Sequence, residues 1–115
     1  MVADVTSPLW FLEQGPPGQL GVVVLEGPEG RWAPVFSDRL VAERLCAAAP
    51  PGVRVGTAPA HDPRAREELL LACLQAGAEV TALDPAPGER RPHATSPVRP
   101  ALAYVRSLRT GSACL

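Results

Sequence analysis

Apolar positions along the chain switch between a period of two and a period near 3.6, and the switches fall at proline and glycine. Pro8 to Glu13 carries Leu9, Trp10, Phe11 and Leu12 and predicts a strand, which Gly15-Pro16-Pro17-Gly18 breaks. Leu20 to Glu26 predicts a second strand, apolar on both faces through Val22, Val23, Val24 and Leu25, the pattern of an inner strand. Gly27-Pro28-Glu29-Gly30 is a turn, and Arg31 to Phe36 returns as a third strand, so the two make a hairpin. Alternation puts Trp32, Pro34 and Phe36 on one face, and the missing N–H of Pro34 predicts an edge strand or a bulge there.

Ser37 or Asp38 caps a first helix running to about Ala49, with Val41, Ala42, Leu45, Cys46 and Ala49 as its apolar stripe and Arg39 paired with Glu43 on the wet side. Val53 to Thr57 is a short strand candidate. The second helix is punctuated most clearly: Asp62 caps it, Pro63 takes the first position and Gly77 stops it. Its apolar residues, among them Leu69, Leu70, Cys73 and Leu74, cover about 200° of the wheel. Leu71 falls in the polar sector between Arg64 and Gln75, which makes it a candidate interface residue. Glu79 to Asp84 is a further strand, ended by Pro85-Ala86-Pro87-Gly88, and a polar stretch follows to Pro100. A last helix over about 100–109 is expected to bury Ala101, Tyr104, Val105 and Leu108 and to show Arg106 and Ser107 to water.

At 115 residues, with 46% hydrophobic and 20% charged side chains, the chain has the composition of one globular domain. All its lysine-or-arginine positions are arginine, as a coding bias produces, and the proline-rich loops fit a heat-adapted protein. Cys46, Cys73 and Cys114 have no CxxC spacing; the first two lie on apolar helix faces and read as buried thiols in a reducing compartment. The N-terminal residues lack a basic segment followed by an apolar run, and no aliphatic stretch approaches about 18 residues. A cytoplasmic protein with no membrane span is expected.

Charge is divided unevenly. Residues 1–89 hold 12 acidic side chains and 6 arginines, a net of −6, whereas residues 90–115 hold Arg90, Arg91, Arg99, Arg106 and Arg109 and no acid, a net of +5. Such a segment binds an anion or nucleic acid, with Arg90, Arg91 and Arg99 as candidates, docks the C-terminal segment on the acidic body, or merely reflects the biased composition. The two structural readings together are favoured, because nucleic-acid surfaces interleave aromatics with their cations and only Tyr104 lies here. His61 and Asp62 have no third metal ligand at suitable spacing, Asp84 reads as turn chemistry before Pro85, and neither Gly-Pro turn matches a phosphate loop. No catalytic residue and no cofactor or metal site is assigned.

Ala33-Pro34-Val35-Phe36-Ser37-Asp38 leads a strand into a helix, and a leucine-rich helix ending at Gly77 is followed by a strand and Leu83-Asp84-Pro85 with Gly88. Over roughly residues 20–88 this resembles the N-terminal domain of the SseB family of small bacterial proteins. Asp84 stands where that family usually has Asn. The resemblance implies a small α+β domain with a mixed or antiparallel sheet and supplies no catalytic residue.

The expectation is one α+β domain over 1–115, a twisted sheet of four to five strands with two to three helices on it, and residues 89–115 as a basic loop and helix. The function expected is a non-catalytic interaction or regulatory module, with a second copy of the chain or another protein as partner. Leu71 and the two-sided strand Val22–Leu25 point to the homodimer. An anion or nucleic-acid binder and an enzyme of unassigned class are the alternatives.

Overall fold

Alternation in β1 (Leu9–Gln14) and β4 (Gly30–Phe36) sends apolar side chains to two opposite faces, and both strands lie at the centre of the sheet. The structure, a computed structural model, describes residues 4–16, 21–86, 88 and 91–111. Its other elements are β2 (Gly21–Val22), β3 (Leu25–Gly27), α1 (Arg39–Ala47), β5 (Arg54–Ala58), α2 (Pro63–Gln75), β6 (Val80–Leu83), β7 (Thr95–Pro97) and α3 (Val98–Gly111). Leu20, Arg90 and Cys114 lie outside the described residues.

The fold is α+β with a mixed sheet. β1 runs antiparallel between β5 and β4, β4 pairs in parallel with β6, and β6 pairs antiparallel with β7. Only Trp10 and Phe11 of β1 face β4 directly, at Phe36 and Val35. Beyond them the two strands part. β2 pairs with Glu13 and Gln14 on one side of the gap, and β3 pairs with Gly30 to Trp32 on the other. The chain turns back at Val23-Val24, where the Val23 N–H donates to the Leu12 carbonyl at 2.9 Å.

Among the described residues the sheet has seven strands, more than the four to five expected. One added strand comes from the split of 20–26 into β2 and β3, because that run serves two partners in turn. The other is β7, whose Thr95-Ser96-Pro97 has no apolar alternation and sits at the edge beside β6, where polar residues and proline are tolerated.

Pro34 lies in a central strand rather than at an edge. β4 pairs with β3 through Trp32 and with β1 from Val35, so neither register takes in Pro34 on that side. The Asp84 N–H donates to the Val35 carbonyl from the β6 side at 2.8 Å. By alternation Pro34 then turns its backbone toward the place where β4 changes partner, and its missing N–H breaks no ladder bond.

α2 and α3 cover one face, where Leu69, Leu70, Cys73, Val98, Leu102 and Val105 pack on Leu9, Phe11, Ala33 and Val35. α1 covers the other with a thinner layer, in which Leu12, Phe36 and Ala42 are fully buried and Trp10, Val41, Leu45, Cys46 and Val55 are half-buried. Both caps form as the sequence implies: Asp38 accepts from the Leu40 N–H at 2.9 Å and Asp62 from the Ala65 N–H at 3.0 Å. Gly77, at φ +91°, ends α2 in the left-handed region that suits glycine.

α3 starts two residues earlier than expected, and its buried stripe is Val98, Ala101, Leu102 and Val105. That spacing turns Tyr104 out of the core, 53% exposed, and Leu102 into it. Among the described residues no helix is long and apolar enough to cross a membrane.

Candidate functional site

One surface depression follows from helix and strand lengths. Nine residues of α1 span roughly 14 Å at about 1.5 Å per residue, whereas seven residues of β4 span roughly 23 Å at about 3.3 Å per residue. α1 starts beside the Phe36 end of β4 and stops before reaching the other end of the strand. The uncovered end is where β1 and β4 part. A cleft of about 570 Å³ forms there, within the range of small-molecule sites.

Leu12, Val23, Trp32 and Pro34 form part of its lining from the sheet. Leu45, Ala48, Ala49 and Pro50 line it from the end of α1, and Pro85, Ala86 and Gly88 from the loop after β6. Gln14 and Glu26 are the polar side chains of the rim. Among the described residues Glu26 is the only ionic one lining the cleft, and Arg31 pairs with it at 3.0 Å. Trp32 is 3% exposed, and its indole N–H, closed to solvent, has no hydrogen-bond acceptor among the described residues.

Leu71 is half-buried and packs against the α2–α3 core cluster, whereas Val23 belongs to the α1 cluster on the opposite face of the sheet. Leu71 is not among the residues that line the cleft. Leu25, from the strand expected to be apolar on both faces, is 37% exposed and lines the cleft.

The arginines of the C-terminal segment divide by use. Arg106 donates from Nε to Glu67 of α2 at 3.0 Å and Arg109 donates to the other oxygen of the same carboxylate, which docks α3 on α2. These two hydrogen bonds, Arg106 first, hold the Glu67 carboxyl below its ordinary range. Arg91 lies beside Glu26, Gly27 and Pro28, and Arg99 is exposed in the first turn of α3. Arg90 lies outside the described residues.

Asp84 has φ +50°, and its carboxylate accepts from the Ser37 N–H at 2.9 Å and the Ser37 hydroxyl at 2.6 Å. It ties the end of β6 to the junction of β4 and α1, so its oxygens are engaged in the fold. His61, at φ +60°, donates its backbone N–H to the Val5 carbonyl at the approach to α2. Among the described residues no three His, Cys, Asp or Glu side chains are grouped to hold a metal. Cys73 is buried, and burial pushes its thiol up to about 12, which leaves it a poor nucleophile.

Two features of the structure have no counterpart in the sequence reading. The cleft draws its walls from segments far apart in sequence, although the shared face of Trp32 and Pro34 was a visible sign of it. Arg66 is fully buried and donates to the carbonyls of Asp4 and Ser7. Its spacing from Leu69, Leu70 and Cys73 places it on the apolar stripe of α2, and that spacing was the available signal.

A scan against models of known protein families finds no match to this chain, and neither does a search of curated proteins.

Proposed function

We propose that this domain is a non-catalytic interaction module whose working surface is the cleft beside the end of α1. The observation that carries this reading is the cleft itself: a depression of about 570 Å³, with a largely aliphatic lining that includes Trp32, on the thinly covered face of the sheet. Concave, mainly apolar surfaces with a few polar groups are the usual form of ligand sites. The polar groups with reactive potential lie elsewhere or are engaged, as Asp84 is by Ser37 and Glu67 by two arginines.

The resemblance to the SseB N-terminal domain belongs to the same proposal. It is supported by the meeting in space of Ser37 and Asp84, one from each of the two segments that carry the resemblance. A reducing, cytoplasmic setting is supported by the free thiols of Cys46 and Cys73.

The test uses Nile red, a neutral dye that brightens in apolar sites, with the full chain and an Ala48→Arg variant. Ala48 is exposed at the α1 C-cap, where a cation suits the helix end, so the variant fills the cleft without unfolding the domain. Saturable dye binding by the parent and at least a tenfold weaker binding by a folded Ala48→Arg chain are expected. Equal binding by both would place the working surface elsewhere.

A further inference from the structure

We infer that the cleft takes a neutral, mainly apolar small molecule carrying a carbonyl-type acceptor, and that the acceptor pairs with the indole N–H of Trp32. This rests on the reading of the cleft as the working surface.

The first support is the state of Trp32. Its ring lines the cleft, its exposure is 3%, and its Nε1 is closed to solvent without an acceptor among the described residues. Buried donors are paired in the great majority of native structures, because an unpaired one loses its solvation without compensation. Trp donates only, so the missing partner is an acceptor. A ligand that brings one is favoured over a hydrocarbon of the same shape. Because the nitrogen is shut off, the ligand reaches it by displacing the groups around it, and binding changes the surroundings of that N–H.

The second support is charge. Among the described residues no arginine lines the cleft, and the one ionic residue they place there, Glu26, is an anion already paired with Arg31. The wall from Leu45 to Pro50 is the C-terminal end of α1, the negative end of the helix dipole. A carboxylate entering here meets a carboxylate, a negative helix end and no cation among the described lining residues, which favours a neutral acceptor.

Benzophenone and diphenylmethane form a matched pair, differing at one carbon, and 4-benzoylbenzoate adds a carboxylate to the first. Their binding to the 15N-labelled full chain is followed by the two indole N–H resonances, Trp10 and Trp32, and by the backbone amides of Val23, Ala48 and Val53. Benzophenone is expected to bind about five- to tenfold more tightly than diphenylmethane, with a shift of the Trp32 indole N–H, and more tightly than 4-benzoylbenzoate. A folded Trp32→Phe chain is expected to lose the preference for the ketone while still binding the hydrocarbon; the indole shift in the unaltered chain serves if that variant does not fold. Equal binding of ketone and hydrocarbon with a stationary Trp32 N–H overturns this inference and leaves the cleft as a binding surface. Tightest binding by the carboxylate overturns the neutral assignment. Binding of none of the three overturns both this inference and the reading beneath it.

Discussion

Arg66 on α2 donates from Nη1 to the carbonyl oxygen of Asp4 at 2.8 Å while keeping none of its own surface in solvent. Its Nη2 donates to the Ser7 carbonyl at 2.6 Å, and the His61 N–H reaches the Val5 carbonyl beside it. One guanidinium thus ties the segment ahead of β1 to the first turn of α2. Burial lowers the Arg66 pKa and the Asp4 charge opposes this, but an arginine stays protonated throughout the range in which proteins fold. Arg66→Ala removes two hydrogen bonds and leaves a cavity under the segment, and a loss of about 3–5 kcal/mol is expected. Arg66→Met fills the space of the stem but restores neither bond, and should recover about half. Urea unfolding of the three chains measures this, and an alanine variant within about 1 kcal/mol of the parent would show that the clamp is not needed.

Gly56 stands opposite Phe11 in the pairing of β5 with β1. A Cβ there would lie 2.7 Å from the Phe11 ring and 2.9 Å from Glu13 Oε2. The ring is 5% exposed and held by the α2–α3 core, so it has little room to move. Gly56→Ala should therefore cost about 1–3 kcal/mol despite the better strand propensity of alanine. Shortening the ring in Phe11→Leu opens the space. In the double variant the two losses are expected to fall short of their sum by at least about 1 kcal/mol. Strict additivity would mean that the ring and the backbone of residue 56 do not conflict.

The parts of the fold written in local spacing were legible. Asp62-Pro63 and Gly77 bound α2, Asp38 caps α1, and Trp32, Pro34 and Phe36 share one face, as their residue types require. What was lost depended on partners distant in the chain. The run around Val23 alternates poorly because its first half belongs to β1 and its second to β4, which no local pattern encodes. Pro34 signals an edge from local rules, yet a change of strand partner serves the same need in the sheet centre. Tyr104 moved to the surface because the stripe that α3 buries is centred between Val98 and Val105, and Tyr104 lies about 120° around the wheel from Val98 at roughly 100° per residue. The cleft was the least legible, since it exists only because α1 is shorter than the strand it returns over.

Asp84 combines a left-handed backbone with two bonds from Ser37. Asn tolerates that backbone nearly as well and retains one amide oxygen as acceptor, so Asp84→Asn should cost under about 1 kcal/mol. Asp84→Ala loses both bonds and places a Cβ in the left-handed region, with about 2 kcal/mol expected. Asp84→Gly relieves the backbone and loses only the bonds, so it should fall between them. Chemical denaturation ranks the three, and an alanine variant as stable as the asparagine one would remove Asp84 as the tie between β6 and α1.

Glu67 gives acid pH a defined point of action. The hydrogen bonds from Arg106 and then Arg109 favour its ionised form, so its folded pKa lies below the ordinary 4.5. The unfolded chain therefore takes up this proton first as pH falls. The stability that Glu67 contributes is fully present above about pH 4.5–5 and is lost as pH drops through its lowered folded value. Asp4 is also lowered, chiefly by its bonds from Thr6, so the parent alone does not isolate Glu67. Comparison with Glu67→Gln does, because the Asp4 contribution is common to both chains. The difference in urea midpoint between parent and variant is expected to stay constant from pH 7 to 5 and to shrink below that. Protection of the α3 amides from hydrogen exchange should decline in the parent over the same acid range, since α3 is what the two arginines dock on α2. A midpoint difference that does not change with pH would mean that the Glu67 charge does not hold α3 in place.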